Sequence, residues 1–373
     1  MRVLHIFHGQ YVSGAELVAF DCLGKDPDRE DHAVILCASE RLAARLTDRL
    51  GAERVLALNL PLAVGRLGRW LLFNLLTRRV ARQLPRVLAA RGKCLEQFDL
   101  VYYNNSTEVA LAARLAPPCP EVCHVHDMVS TLPPGVRRAF RQGAGRCRHV
   151  LAVSHAAARE VAALLGPARP ITTLYNAARY TAHMPNVRPA TPLRRFAFFG
   201  GAAKRKGLDL AVSGLSLLAD EGVNLDVYGM VPPRRQAILR HRARGAGLTF
   251  HGEIAHDTVA EAMRAADAVI VPSRRDPLPT VVLEALALGR PVIAASVDGV
   301  PEMIADSRFL FAPESPASIA ACINFLNRLT AAELSLATEN CARFAAERFR
   351  VETKCATLSR VLAEVVDDAR RAE

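Results

Sequence analysis

Two short, wholly apolar runs, 268–271 and 291–294, flank a helix-length segment that is stopped by Gly289. The first run ends in Pro272-Ser273, a turn pair, and a polar loop leads into the apolar stretch 280–288. Runs of that length between turn signals read as strands buried on both faces, with a helix between them. Strands buried on both faces belong to a parallel sheet covered by helices, and this constrains the fold more than any other feature. The same alternation fills the chain. In the first half, strands are expected at 2–7, 31–37, 54–58, 99–103, 121–126, 149–153 and 171–174, with helices at 15–24, 39–50, 66–91, 107–115, 136–144 and 155–165. Residues 181–194, with Pro185, Pro189 and Pro192 and no apolar period, break the rhythm as a linker. The second half restarts with strands at 195–199, 224–228, 248–250, 268–271 and 291–294, helices at 207–220, 232–244, 257–265 and 279–288, and a helical tail near 316–328, 331–347 and 351–371. A chain of 373 residues is longer than one core usually encloses, so two α/β domains are expected.

Two carboxylates bracket the turn after 268–271. Asp276 lies in the loop, at the carboxyl end of a strand, where ligands of parallel sheets collect. Glu284 lies on an otherwise apolar helix and needs a partner or a ligand, because an unpaired buried carboxylate is costly. An ordinary strand–helix–strand unit with a helix-capping Asp276 is the plainer alternative. Upstream, Gly200, Gly201, Lys204, Arg205, Lys206 and Gly207 follow the strand 195–199 and open a helix. Small residues let a backbone approach a ligand, a helix N-terminus favours anions, and three cations stand at the same place. The matching chemistry is a nucleoside diphosphate; solvated surface lysines are the alternative.

The block from Pro272-Ser273 through Asp276, Glu284-Ala285 and Gly289-Arg290-Pro291-Val292-Ile293 to Gly299-Val300-Pro301-Glu302 resembles the donor-sugar motif of retaining GT-B glycosyltransferases, in particular glycosyltransferase family four. The resemblance implies an α/β GT-B fold, two Rossmann-like parallel-sheet domains facing across a cleft. These are an acceptor-binding domain over 1–188, a nucleotide-sugar domain over 189–350, and a last helix, 351–373, that crosses back to the first. It implies that the first acid binds hydroxyls of the transferred sugar and that Glu284 binds the ribose. Pro277, Leu278 and Pro279 fall within the donor loop. The family usually carries Glu where this chain has Asp276, and Arg where it has Gly201, while Lys206-Gly207 match. Tyr228-Gly229 and 250–254 look like family segments near the nucleotide base, and Glu302 reads as a helix cap. In the first half, Gly14, in the turn before the first helix, matches a family glycine facing donor phosphates or acceptor. His126, at the end of its strand with Asp127 beside it, is implied to lie near the reacting sugar, with His124 as its rival. Asn104, Asn105 and Ser106 either bond an acceptor or make a turn.

The implied activity is retaining transfer of a hexose from a nucleotide-diphosphate sugar to a hydroxyl acceptor, a sugar or a lipid-linked one, in polysaccharide or lipopolysaccharide biosynthesis. His126, Lys206 and Asp276 are its catalytic candidates, and no cofactor or metal is required. A nucleotide-sugar epimerase or phosphorylase on the same fold, and a non-catalytic basic protein that binds lipid or nucleic acid, are the alternatives. Cys119, Cys123, His124 and His126 fall close together, but strand alternation would put the cysteine and the histidines of 123–126 on opposite faces, against a zinc site.

Net charge is +11, and it is uneven. No acid lies between Glu53 and Glu96, where Arg54, Arg66, Arg69, Arg78, Arg79, Arg82, Arg86, Arg91 and Lys93 stand; none lies between Asp127 and Glu160. The segment 66–91 mixes these cations with Trp70, Phe73 and leucines, a composition that suits either an anionic membrane interface or a core helix with a basic outer side. No nucleic-acid partner is expected of the enzyme. No apolar run reaches the roughly 18 residues of a membrane span. Nine cysteines without CxxC pairs read as reduced thiols of a cytoplasmic protein, peripheral at the inner face of the membrane if it binds there.

Overall fold

The computed structural model describes residues 1–9, 14–37, 39–58, 69–177, 190–255 and 258–372. The chain divides into two compact units, Met1–Asn176 with Val351–Glu373, and Ala177–Arg350.

Among the described residues, the first unit has strands β1 (Arg2–Phe7), β2 (Glu30–Ile35), β3 (Val55–Ala57), β4 (Leu100–Tyr103), β5 (Glu121–Val125), β6 (His149–Ala152) and β7 (Ile171–Thr173). They form one parallel sheet in the order β3-β2-β1-β4-β5-β6-β7. Its helices are α1 (Gly14–Ala19), α2 (Glu40–Leu50), α3 (Arg69–Ala89), α4 (Ala112–Leu115), α5 (Pro134–Ala144) and α6 (His155–Leu165). Side-chain caps start several of them: Ser39 Oγ accepts from Leu42 N, and Ser154 Oγ from Ala157 N. One core packs β-sheet residues such as Leu4, Ile6, Val101 and Tyr103 against Val80, Leu84 and Leu88 of α3 and Phe140 of α5.

The second unit repeats the plan with β8 (Arg195–Phe199), β9 (Asn224–Tyr228), β10 (Gly247–Gly252), β11 (Ala268–Val271), β12 (Val292–Ala295) and β13 (Leu310–Phe311). The strand order is β10-β9-β8-β11-β12-β13, again parallel. Helices α7 (Leu208–Ser216), α8 (Pro233–Ala243), α9 (Val259–Ala265), α10 (Thr280–Ala287), α11 (Pro316–Leu326) and α12 (Ala331–Arg348) accompany it. The final helix, α13 (Val351–Arg371), belongs to the first unit. Its Leu358, Val361, Leu362, Val365 and Val366 recur at helical spacing and pack on Val3, Leu100, Tyr102, Val122 and Leu151.

Strand order reverses between β1 and β4 in one sheet and between β8 and β11 in the other. Each reversal leaves a crevice at the carboxyl ends of the strands, the usual ligand position in such sheets. Several expectations need correction. The helix expected over 15–24 ends at Ala19 and runs on as turns, with Gly24 N bonded to Asp31 Oδ2 at 2.8 Å. Residues 108–111 form a 3-10 turn before the short α4, so 107–115 is not one helix. Strand β13 was not anticipated, because its two residues are too short for any periodicity to register. Glu302 closes the 3-10 turn Val300–Glu302 and so caps no helix start. Most of the expected linker lies outside the described residues, as do residues 10–13 of the first loop.

Candidate functional site

In the second unit, the loops after β8 and β11 meet at the strand-order reversal. After β8 the backbone turns through Gly200 and Gly201; Ala202 N donates to Met230 O at 3.0 Å. Gly201 has φ +61°, and a Cβ there would stand 2.8 Å from Met230 O. A side chain at 201 is excluded by this turn, which accounts for glycine where the related motif carries Arg. Residues Lys204–Lys206 form a 3-10 turn, and Gly207, at φ +71°, N-caps α7. A Cβ at Gly207 would overlap the carbonyl oxygen of Pro272, so glycine is what lets the two loops touch.

Across that contact, Lys206 Nζ donates to Asp276 Oδ2 at 2.7 Å, and Ser273 Oγ donates to the same oxygen at 3.2 Å. Arg205 approaches it at 3.8 Å. Asp276 is buried, and its backbone is fixed as well: its N–H donates to Asp298 Oδ2 at 2.8 Å, while its carbonyl accepts from Gly299 N at 3.3 Å. Arg275 Nε holds both Asp298 oxygens at 3.0 Å. Arg274 ties the two loops together, with its backbone N donating to Arg205 O at 2.7 Å, one guanidinium nitrogen to Lys204 O at 2.9 Å, and a bidentate pair to Asp209 at 2.8 and 2.9 Å. The Arg274 bonds hold the Asp209 carboxyl below the usual carboxylate range.

Lys204 and Arg205 are exposed, whereas Lys206 is turned inward. Glu284 is half-buried on α10, between the buried Val282, Leu283, Ala285 and Leu286. Leu278 and Pro279 are buried and Pro277 half-buried, so a ligand at this loop would meet its backbone more than its side chains. The Tyr228 ring packs against those of Phe199 at 4.8 Å and His251 at 4.5 Å, both nearly parallel to it. Gly229 N bonds Gly252 O at 2.6 Å, and Asp226 holds both Arg195 at 2.8 Å and His251 at 2.7 Å, which fixes this edge of the sheet.

In the first unit, Gly14 opens α1. Beyond β4, Asn104 and Ser106 are buried, Asn105 Oδ1 accepts from Ser106 N at 2.7 Å, and Asn105 O accepts from Val109 N at 3.2 Å. Asn105 therefore builds the turn. Beyond β5, His126 stands one residue past the strand end, its ring 4.0 Å from that of His124. His124 Nδ1 meets the Tyr102 hydroxyl at 2.8 Å. Cys123 and Val125 point into the opposite core, so the two faces separate as the alternation implied. Burial, with Lys354 adding to it, pushes His126 down to about 3, and burial holds His124 well below its ordinary range. Both rings are neutral at pH 7. Among the described residues, His126 Nε2, Ser106 Oγ and Glu108 Oε1 are buried without a hydrogen-bond partner.

Glu108 was missed in the sequence. Burial, followed by the charges of Glu16 and Asp127, pushes its carboxyl up to about 8, against the hydrogen bond that Thr107 Oγ1 donates to Oε2 at 2.7 Å. The available signal was an acid directly before the apolar run 109–112, where a helical turn would carry it inward. Asp298 was missed too; an acid beside Gly299 after a buried strand is its signal.

Two doubly wound parallel sheets, each with its loops gathered at a strand-order reversal, define the GT-B glycosyltransferase fold. It is shared with HepE from Anabaena solved with UDP and glucose, at TM-score 0.75 and 21% identity over 98% of this chain and 100% of that one. It is shared also with sucrose-phosphate synthase from Thermosynechococcus elongatus, at TM-score 0.79 and 15% identity over 99% of this chain and 100% of that one. Residues 194–328 match the family profile described as Glycosyl transferases group 1, and residues 12–179 that described as Glycosyltransferase Family 4. Between them they take in most of the chain, which belongs to the group 1, family four glycosyltransferases. Curated relatives include D-inositol 3-phosphate glycosyltransferase from Saccharomonospora viridis, 28% identical over 56% of this chain, and glycogen synthase from Mycobacterium tuberculosis, 27% identical over 57%. The alignments span only 42% and 52% of those relatives' own length, about half or less.

Proposed function

We propose that this chain is a retaining hexosyltransferase that moves a sugar from a nucleotide-diphosphate sugar to a hydroxyl acceptor, a sugar or a lipid-linked one, in the building of a cell-surface glycan. The observation that carries this reading is the Lys206–Asp276 pair, fixed by both loops at the strand-order reversal of the second unit. A lysine and a carboxylate side by side suit a substrate whose leaving group is anionic and whose sugar offers hydroxyls. The UDP and glucose bound by HepE make a UDP-sugar the first donor to try.

In the proposed reaction the acceptor oxygen attacks the anomeric carbon on the face from which the diphosphate departs, through an oxocarbenium-like state. The departing diphosphate takes the acceptor proton, so no carboxylate base is needed. Lys206 stabilises the charge that grows on the diphosphate, and Asp276 fixes the sugar through its hydroxyls. Glu284 binds the ribose. In the first unit the neutral His126 hydrogen-bonds a sugar hydroxyl, and Asn104 and Ser106 line the acceptor on the turn that Asn105 builds. Residues 66–91 place the enzyme peripherally on an anionic membrane. Calorimetry of the intact chain with UDP tests the core of this reading. Binding is expected, and Glu284→Ala should weaken it at least tenfold in a folded variant. Unchanged affinity in that variant would remove Glu284 from the donor site, and no UDP binding by the parent would sink the UDP-sugar donor.

A further inference from the structure

The first unit has a cavity of about 430 Å³ lined by Arg78, Ala81 and Arg82 of α3, Ala113 and Arg114 of α4, and Gln142 of α5. Three guanidiniums and an amide line it, and no acid does. Burial, then the neighbouring Arg78, pushes the Arg114 guanidinium below its ordinary range, so these cations are close enough to repel. Arg78 and Arg82 are one helical turn apart on α3, where like charges destabilise a helix. No acid lies between Glu53 and Glu96 to pair with them locally. The alanines keep the floor open. Arginine forks match the oxygens of a tetrahedral oxyanion, and a dianion would relieve the repulsion among them. The volume is within the range of small-ligand sites and exceeds what one inorganic phosphate fills.

We propose that Arg78, Arg82, Arg114 and Gln142 form a binding site for an organic phosphate monoester. Two of its arginines belong to the segment 66–91 proposed above as a membrane face, but the site does not depend on the sugar-transfer reading. The phosphate could be carried by a soluble molecule or by a lipid headgroup, and the test separates these sources. Glycerol 3-phosphate is titrated into the intact chain by calorimetry. In parallel, the chain is sedimented with phosphatidylcholine vesicles that contain either phosphatidic acid, a monoester, or phosphatidylglycerol, a diester, at equal surface charge. A soluble source predicts saturable binding of glycerol 3-phosphate. A lipid source predicts sedimentation with phosphatidic acid well above that with phosphatidylglycerol, with little effect of the soluble ester.

In either case Arg82→Gln/Arg114→Gln should weaken binding at least tenfold, and Arg82→Lys, which keeps the charge and loses the fork, should weaken it less. The single exposed substitution Gln142→Glu, which brings an acid to the cavity without touching the helix packing, should also abolish it. UDP affinity, read on the same variants, should not change. The proposal is overturned if neither probe binds, if binding survives both Arg82→Gln/Arg114→Gln and Gln142→Glu, or if glycerol 3-phosphate does not bind and the two anionic lipids hold the chain equally, as a membrane face that reads charge alone would.

Discussion

Lys206 is engaged by Asp276 at 2.7 Å, so a diphosphate arriving there competes with a carboxylate for one ammonium. This gives opposite expectations for the two partners. Asp276→Asn keeps the shape and removes the competing charge, so UDP, which has no sugar, should bind more tightly by about fivefold, roughly 1 kcal/mol. The same variant should transfer sugar more slowly, because the hydroxyl contact is weakened. Lys206→Ala should lower kcat more than it raises the Kd for UDP, since the charge it faces grows as the sugar leaves. Calorimetry with UDP beside steady-state kinetics reads both; weaker UDP binding by Asp276→Asn would show that the carboxylate does not compete. Glu108 gives a second residue-scale expectation. Its folded carboxyl, at about 8, keeps a proton that the unfolded one, near 4.5, has lost. The stability it contributes is complete below 4.5 and is lost as pH rises through 8, on the order of a few kcal/mol in all. His126 acts in the other direction and lower: its folded ring, at about 3, lacks a proton that the unfolded ring takes up below 6.5, so it costs stability only in acid. The urea midpoint of the parent should therefore fall relative to that of Glu108→Gln as pH rises from about 5 to 8, and the two should run parallel again above that window. Parallel profiles within the window would mean that the carboxyl is ionised in the fold.

At the scale of elements, the alternation of apolar runs and helices placed every strand but β13, because a strand buried on both faces leaves a largely apolar signature. Strand β8 was read to the residue and β11 likewise, and these two position the loops that carry Lys206 and Asp276. Elements whose form depends on contacts elsewhere were not legible. The 3-10 turns at 108–111 and 204–206 follow strand ends, and the turns after α1 lead to Gly24, whose N–H is held by Asp31 of β2. The site divides the same way. Asp276, Glu284 and Lys206 stood out as charges in apolar or glycine-rich surroundings, whereas Asp298 and Arg274 act through bonds between loops distant in sequence. Gly207 shows how such a contact enforces a residue. Gly207→Ala would bring a Cβ onto Pro272 O at φ +71°, and the two loops would have to part. A stability loss of about 2–3 kcal/mol is expected from the strain and the loosened contact. The UDP Kd should rise as Lys206 and Asp276 separate. Thermal unfolding and UDP titration of this variant would decide, and a wild-type result in both would show that the loops close without glycine.

At the scale of the whole molecule, the division of labour along the chain is unequal: the first unit is completed by a helix that follows the second. Helix α13 buries Leu358, Val361, Leu362, Val365 and Val366 against the sheet of the first unit. Polar bonds set its register, with Lys354 Nζ donating to Val18 O at 2.6 Å and Asp21 Oδ2 at 2.8 Å, and Arg29 donating to Ser359 Oγ at 3.2 Å. Its amphipathic period was readable in the sequence; its partner surface was implied only by the family resemblance, because nothing in a local pattern says which sheet a terminal helix will cover. Burial of five aliphatic side chains contributes on the order of 10 kcal/mol before entropy, as large as the whole net stability of an ordinary domain. A chain ending at Arg350 should therefore fail to fold its first unit while the second, whose core is complete within 177–350, still forms. Two-phase thermal unfolding of the parent is the baseline. In the shortened chain the transition assigned to the first unit should vanish, and proteolysis should reduce the protein to a fragment that begins near residue 190. Lys354→Met offers a graded version, leaving the apolar face intact while Asp21 loses its buried cation; a loss of about 3 kcal/mol is expected in the first unit alone. If the shortened chain kept both transitions at their parental temperatures, α13 would be an accessory to a sheet already stable without it.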